Sequence, residues 1–360
     1  MTPHAARSGI LPRFARVLPL LGLLALAPAS FGAQRTFVRS TGVDSNPCSL
    51  AAPCRSFAAA IAATDPAGEV VVLDSAGYGP VTIAQSVSIL APRGVYAGVS
   101  VFGGAGVRIN GAGIDVMLHG LSINGLGGTN GIDFAQGARL TIDGCAISNM
   151  TAGGIVLHAG ATTIVANVSV RKSGGAGIEV GAADNAAIVD SEIAGSVLHG
   201  LWLHGGARAS VHRGVISGNL LAGIRVDAGS PGTRLVVRAS VIADHAGGAG
   251  ISVIGGPASE SAGADIVGNT ITRNVDGISL VSTAGAILRV NAADNQISSH
   301  SGIGILSSKS GSDVRASGNG IFRNTTGFGP QAGGVLNTPA SNYVRDNVTD
   351  DGGHTPDSLL

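Results

Sequence analysis

A glycine followed by an apolar residue returns at a fixed interval through most of this chain. It stands at Gly131-Ile132, Gly154-Ile155, Gly177-Ile178, Gly200-Leu201 and Gly223-Ile224, each 23 residues after the last. The series continues at Gly250-Ile251 and Gly277-Ile278, spaced by 27, then at Gly302-Ile303 and Gly327-Phe328. A period of this length marks a solenoid, in which each repeat buries its apolar side only against its neighbours. Insertions at 229–233 and 255–263 account for the longer intervals.

Within a coil the apolar residues alternate. Ile155 and Leu157, Ile178 and Val180, Leu201 and Leu203, Ile224 and Val226 occupy the first and third positions after the glycine. Period two is the pattern of a strand with these side chains turned inward. Further alternating runs precede each anchor, as in Val165, Val168 and Val170, so each coil holds two or three short strands with Gly, Asn and Ser at the corners. Composition agrees: 57 glycines are costly in helices, and the 44% hydrophobic content rules out a disordered chain. A leucine-rich repeat needs a helical segment in each unit, and a hexapeptide solenoid needs a period of six; neither pattern is present. One short helix is predicted within 54–64, ahead of the first coil, where it would cover the open end of the stack.

These features resemble the right-handed parallel β-helix (pectin lyase-like) superfamily, the fold of pectate lyases and polygalacturonases. The stretch RTFVRSTGVDSNPCSLAAPCRSFAAAI, followed by GEVVVLDSAGYGPVTIAQSVSILAP, is also similar to exported bacterial β-helix repeat proteins of unassigned activity. The expected fold is therefore an all-β, right-handed parallel β-helix solenoid of about ten coils with a short N-terminal capping helix. The hand follows from the resemblance and from the general chirality of parallel crossovers. The expected organisation is a signal peptide (1–33), an N-terminal cap containing the helix (34–68), the β-helix (69–329), and a C-terminal cap and tail (330–360).

Export is read from the N-terminus. His4, Arg7, Arg13 and Arg16 precede an apolar run from Val17 to Ala27 that is too short to span a bilayer, and small residues follow it. Cleavage after Ala29, Gly32 or Ala33 fits that pattern, and no integral membrane segment is expected afterwards. Export in turn makes a disulfide between Cys48 and Cys54 the expected state, and Cys145, at an apolar position of the repeat, reads as a buried thiol. The first 33 residues carry three Arg and no acid, so 19 basic side chains face 22 acidic ones in the remainder. That balance argues against nucleic acid as a general partner.

The repeat also predicts which distant residues are neighbours, because equivalent positions in successive coils stack about 4.8 Å apart. At the second position after each anchor the outward ladder reads Asp133, Val156, Glu179, Trp202, Arg225, Ser252, Ser279. At the fourth it reads Ala135, His158, Gly181, His204, Asp227, Ile254. Together they form one patch, with Trp202 between Glu179 and Arg225 and with His204 about one strand spacing from Asp227. An aromatic flanked by charges can stack on a sugar ring, so Trp202 and His158 are candidate substrate-binding residues. Glu179, Arg225, His204 and Asp227 are candidate catalytic residues, since a carboxylate, an imidazole and a guanidinium can supply base, acid and charge clamp. A second register, Asn167, Asp190 and Arg213, reads as an ion pair between coils.

The resemblance implies specific enzyme motifs, and the chain departs from them. Asn274-Val275-Asp276-Gly277 resembles the NTDG of polygalacturonases, and His199-Gly200-Leu201 resembles their GHG coil. The order is reversed, and the coils before His199 read Ala152-Gly153-Gly154 and Gly175-Ala176-Gly177 where acids are required. Hydrolysis needs two carboxyls facing one bond. No outward ladder stacks the three carboxylates a calcium-dependent lyase would use. No metal site and no cofactor is expected. Two functions remain open: an exported β-helix that binds and modifies a polysaccharide as a lyase, epimerase or hydrolase, and a non-catalytic surface or adhesive solenoid.

Overall fold

The computed structural model describes residues 1–2, 33–181, 184–339, 341–351 and 355–356. Two compact units separate, Met1–Phe31 and Gly32–Leu360. Apart from its first two residues and Ala33, the expected signal peptide lies outside the described residues.

Gly32–Leu360 is a parallel β-helix with three strands to a regular coil. In the coil that begins at Ile155, the strands are Ile155–Leu157, Thr162–Ala166 and Ser169–Arg171. Each strand pairs in parallel with its equivalents one coil before and one coil after, which builds, among the described residues, three sheets of 12, 14 and 12 strands. We call them the Gly-Ile sheet, the long sheet and the third sheet. The anchors align Cα to Cα: Ile155 with Ile178, Ile178 with Leu201, Leu201 with Ile224. Their inward side chains, and those of Leu157, Val180, Leu203 and Val226, are completely buried.

The glycine anchor has a steric cause. A Cβ on Gly177 would lie 2.8 Å from the carbonyl oxygen of Gly200, and one on Gly200 would lie 2.7 Å from that of Gly223. The corner before each Gly-Ile strand is too tight for a side chain. The same contact corrects one anchor. Gly277 faces the carbonyl oxygen of Gly304, and Ile278 pairs with Ile305, so the repeat passes through Gly304-Ile305 and not Gly302-Ile303. The strands also run beyond the expected limits of 69 and 329. Ala33–Val38 pairs with Thr64–Val72 at one end, and Val335–Thr338, Tyr343–Arg345 and Thr349–Asp351 continue the three sheets at the other. In that last coil Asp350 stands where an anchor glycine would be, so the repeat continues in space after its signature has ended.

The first end is covered as predicted. The helix Phe57–Ala63 is capped by Ser56, whose hydroxyl accepts from the Ala59 amide, and it buries Phe57, Ala60 and Ile61. Phe57 packs against the ring of Tyr78, 5.2 Å between centroids. Cys48 and Cys54 form a disulfide. Cys145 is a buried free thiol whose pKa burial pushes up to about 12, so it is no nucleophile.

Two corners carry inward polar ladders. After the long sheet, a residue with positive φ turns the chain, as at Asp190, Ala239 and Asp294. The next side chain then points in and accepts the backbone N–H of the preceding coil. Ser240 donates to Asn269, Asn269 to Asn295, and Asn295 to Asn319, each at 3.0 Å. After the third sheet the pattern recurs with imidazoles in the series: the amide of Asn219 donates to His245 Nδ1, that of His245 to Asn274, that of Asn274 to His300 Nδ1, and that of His300 to Asn324. Buried backbone donors are thereby satisfied where no strand pairing reaches them.

Burial holds the imidazoles of His199, His245 and His300 down at a pKa of about 4. Each binds its proton more weakly folded than unfolded, where the value is near 6.5. Their contribution is therefore complete above about pH 6.5 and is lost as the pH falls from there towards 4. Asp184, which burial raises to about 6, and Asp276, also raised by burial, act in the opposite sense. The double variant His245→Asn/His300→Asn keeps an acceptor in each corner and removes two of the titrations. We expect its urea midpoint to drop less than that of the wild type between about pH 7 and pH 5. Equal drops would show that these imidazoles do not control acid stability.

Candidate functional site

The outward face of the Gly-Ile sheet brings the sequence-predicted residues together. Glu179 pairs in register with Trp202, and Trp202 with Arg225. The two-residue alternation that buries Ile178 and Val180 is what turns Glu179 out, and the same holds for Trp202 and Arg225. All three remain half-buried, flanked by the side chains of adjacent coils.

The partners differ from those expected from spacing alone. His204 turns back to Glu179, with Nε2 to Oε1 at 3.0 Å, and not forward to Asp227. His158 approaches the same carboxylate oxygen from the other side, at 3.8 Å. Asp227 is already occupied: its Oδ2 accepts from the indole Nε1 of Trp202 at 2.7 Å, and its Oδ1 accepts from Arg225 Nε at 2.8 Å. The Trp202 and His204 rings lie 4.5 Å apart between centroids. The six candidate residues thus form two linked groups, one acid with two imidazoles and one acid with an indole and a guanidinium.

Gly181 decides this arrangement. It occupies the fourth position between His158 and His204, and a Cβ there would sit 2.7 Å from His204 Cε1 and 3.3 Å from His158 Nδ1. The missing side chain lets the two imidazoles converge on Glu179 from coils on either side. The hydrogen bond from His204 and the nearby imidazole charges hold the Glu179 carboxyl below the usual carboxylate range, against the opposing effect of burial. Glu179 is therefore an ionised acceptor that orients His204. It is unsuited to act as a general acid near neutrality.

The other sequence fragments have structural roles. His199 is buried and accepts from the Ala222 amide through Nδ1. Asn274 belongs to the corner ladder, and Asp276 Oδ1 accepts from the Ile303 amide at 2.7 Å. Asp190 and Arg213 form a two-bond ion pair at an exposed corner, both bonds 2.6 Å. Asp133, earlier on the second-position ladder, is held by Arg108 at 2.7 Å. Among the described residues, no group of three His, Cys, Asp or Glu side chains is placed to hold a metal ion, and no helix is long and apolar enough to cross a membrane.

Two adjoining concavities, of about 600 and 510 Å³, lie on the long sheet, and neither is lined by Glu179, Trp202 or Arg225. Sequence reading missed them because it followed the Gly-Ile strand and one corner register, and not the outward face of the long sheet. The signal was the recurrence of arginine at equivalent positions, Arg208, Arg234 and Arg289, in the strand that follows each anchor strand.

The Gly181→Ala variant should push His204 away from Glu179 and return the Glu179 pKa towards its ordinary value. Side-chain NMR titration of Glu179 in this variant and in His204→Ala would read the change. An unaltered Glu179 titration in both would show that the imidazoles do not control that carboxyl.

Residues 105–262 match the family model described as the right-handed beta helix region. No curated protein sequence matches the chain. Among solved structures, the A-module of the Azotobacter vinelandii mannuronan C-5 epimerase AlgE6 superposes with a TM-score of 0.61 at 17% identity, covering 80% of this chain and 89% of that one. The catalytic unit of a GH87 alpha-1,3-glucanase from Streptomyces thermodiastaticus gives 0.55 at 17% identity, over 82% of this chain and 63% of that one. XylC, solved in complex with xylose, gives 0.55 at 9% identity, over 84% and 69%. Identities this low speak to the fold alone, and the parallel coils, the three sheets and the matched region agree on it. The chain has a right-handed parallel β-helix fold, with residues 105–262 matching the right-handed beta helix region.

Proposed function

We propose that this protein is an exported β-helix that binds a polysaccharide through the outward ladder of its Gly-Ile sheet. The observation that carries this reading is the cluster at Glu179, Trp202 and Arg225, where register puts the chain's only tryptophan between an acid and a base. The indole is fixed by its bond to Asp227, so its ring is pre-oriented as a stacking surface for a sugar. Arg225 spends only its Nε on Asp227, which leaves the outer guanidinium nitrogens for sugar hydroxyls or carboxylates. Structural neighbours that act on glycans, the mannuronan epimerase module and the alpha-1,3-glucanase, support the ligand class. The disulfide and the N-terminal sequence support export.

One catalytic reading has an observation in its favour. Glu179 bonded to His204 is a carboxylate–imidazole pair, the arrangement that orients a general base. It suits proton abstraction beside a uronate carboxyl, as lyases and epimerases require, with Arg225 as the carboxylate clamp. Hydrolysis is disfavoured, because Glu179 is held ionised and Asp227 is committed to two donors, so neither supplies a proton to a leaving group.

Trp202 emission, titrated with a panel of neutral and acidic glycans, tests the binding reading, since the chain has one tryptophan. We expect one glycan class to shift the emission, and Trp202→Ala to weaken pull-down of that glycan by about tenfold or more. Silence across the panel, with Trp202→Ala unchanged in pull-down, would favour a non-catalytic surface solenoid. Release of unsaturated uronate product, lost in His204→Ala, would establish the lyase form.

A further inference from the structure

The long sheet presents a different face of the prism, and its outward residues carry a second pattern. One outward register reads Thr162, Asn185, Arg208, Arg234, Gly263, Arg289, Asp313. The register two residues on ends in Asp265, Asn291 and Arg315. The two concavities on this face share Arg234 and Val236, so they form one groove running across the coils. Seven strands from Thr162 to Asp313 give it a length of about 30 Å.

The arginines of this groove differ from those that pair with carboxylates elsewhere. Arg108, Arg171, Arg213, Arg225 and Arg273 each hold a carboxylate within 2.8 Å. Among the described residues, Arg208, Arg234, Arg289 and Arg315 make no ion pair, and Arg234 reaches only the Thr233 carbonyl at 3.5 Å. Asp265 and Asp313 line the same groove and do not close on them. The sheet instead makes room for an open guanidinium: a Cβ on Gly263 would lie 2.6 Å from Arg234 Nη1. Ser261, Ala262 and Ile287, at the starts of their strands in the long sheet, complete the groove lining.

We propose that this groove is a second glycan site, and that it takes a linear acidic polysaccharide running along the helix axis. Its carboxylates pair with Arg208, Arg234 and Arg289, which repeat along the direction of the coils. Asp265, Asn291 and Asp313 bind its hydroxyls. The composition of the groove favours this occupant over a nucleic acid strand. Single-stranded nucleic acid sites use aromatic stacking platforms, and the lining contains none. Asp265 and Asp313 suit the hydroxyl donors that every sugar unit of a glycan presents, whereas a DNA backbone offers them none. The site is independent of the Trp202 face, since the two share no residue.

Polygalacturonate and alginate, titrated into the full chain by calorimetry at low salt, test the proposal, with dextran and single-stranded DNA as controls. We expect at least one polyuronate to bind, binding to weaken with salt, and dextran to be silent. Arg234→Ser/Arg289→Ser should weaken the polyuronate about tenfold or more, as should Gly263→Glu, which fills the groove with a charge of the wrong sign. Circular dichroism verifies that both variants fold. Trp202→Ala should leave this binding unchanged. The proposal is overturned if neither polyuronate binds, if the arginine variant binds as the wild type does, or if DNA binds more tightly than both polyuronates. Loss in Trp202→Ala alone would assign the acidic glycan to the Gly-Ile face and overturn this site while leaving that one standing.

Discussion

The crowding at one corner governs this molecule. From Gly106 to Gly327 the backbone of one coil passes so close to the next that a Cβ on the anchor would meet the carbonyl oxygen of the following anchor position, at 2.8 Å for Gly177 and 2.6 Å for Gly223. Only glycine permits that approach. With the corner closed, the three strands of each coil fall into parallel register with those of the next, and the aliphatic residue after each glycine is buried. The insertions at 229–233 and 255–263 lengthen individual coils without disturbing this contact, because they enter at other corners.

Closing a coil so tightly leaves backbone amides inside that no strand can pair. Side chains satisfy them, and the choice of side chain has consequences. Serine and asparagine accept without titrating. Histidine accepts through Nδ1 only while neutral, so His245 and His300 tie two corners to the protonation state of the core. The positive-φ residues that precede these positions, such as Asp244 and Arg273, face solvent and pair with each other across coils. Inside and outside of the same corner are thus held by different interactions, one neutral and desolvated, the other charged and screened.

Stacking also sets the chemistry of the outer faces. Residues far apart in sequence become neighbours at one strand spacing, and the site at Glu179 is assembled from residues of four coils in this way. On the Gly-Ile sheet, charges are matched within the protein: Glu179 with imidazoles, Asp227 with Trp202 and Arg225. On the long sheet, guanidiniums of neighbouring coils stand in the same register and stay open. Like charges stacked at this distance repel, and a bound anion would relieve that repulsion.

The solenoid, the inward and outward alternation, the position of the helix cap and the register that unites Glu179, Trp202 and Arg225 are legible in the amino-acid order. All of these follow from periodicity, which is written along the chain. It misread one anchor, because Gly302-Ile303 and Gly304-Ile305 carry the same signature two residues apart. It ended the solenoid early, because the last coil has no anchor glycine. Which partner each side chain takes depends on the packed coils. His204 could reach an acid on either side. The gap over Gly181 and the prior commitment of Asp227 send it to Glu179, and both depend on atoms in neighbouring coils. The groove on the long sheet has the same origin, since concavity is a property of several coils together and no single repeat contains it.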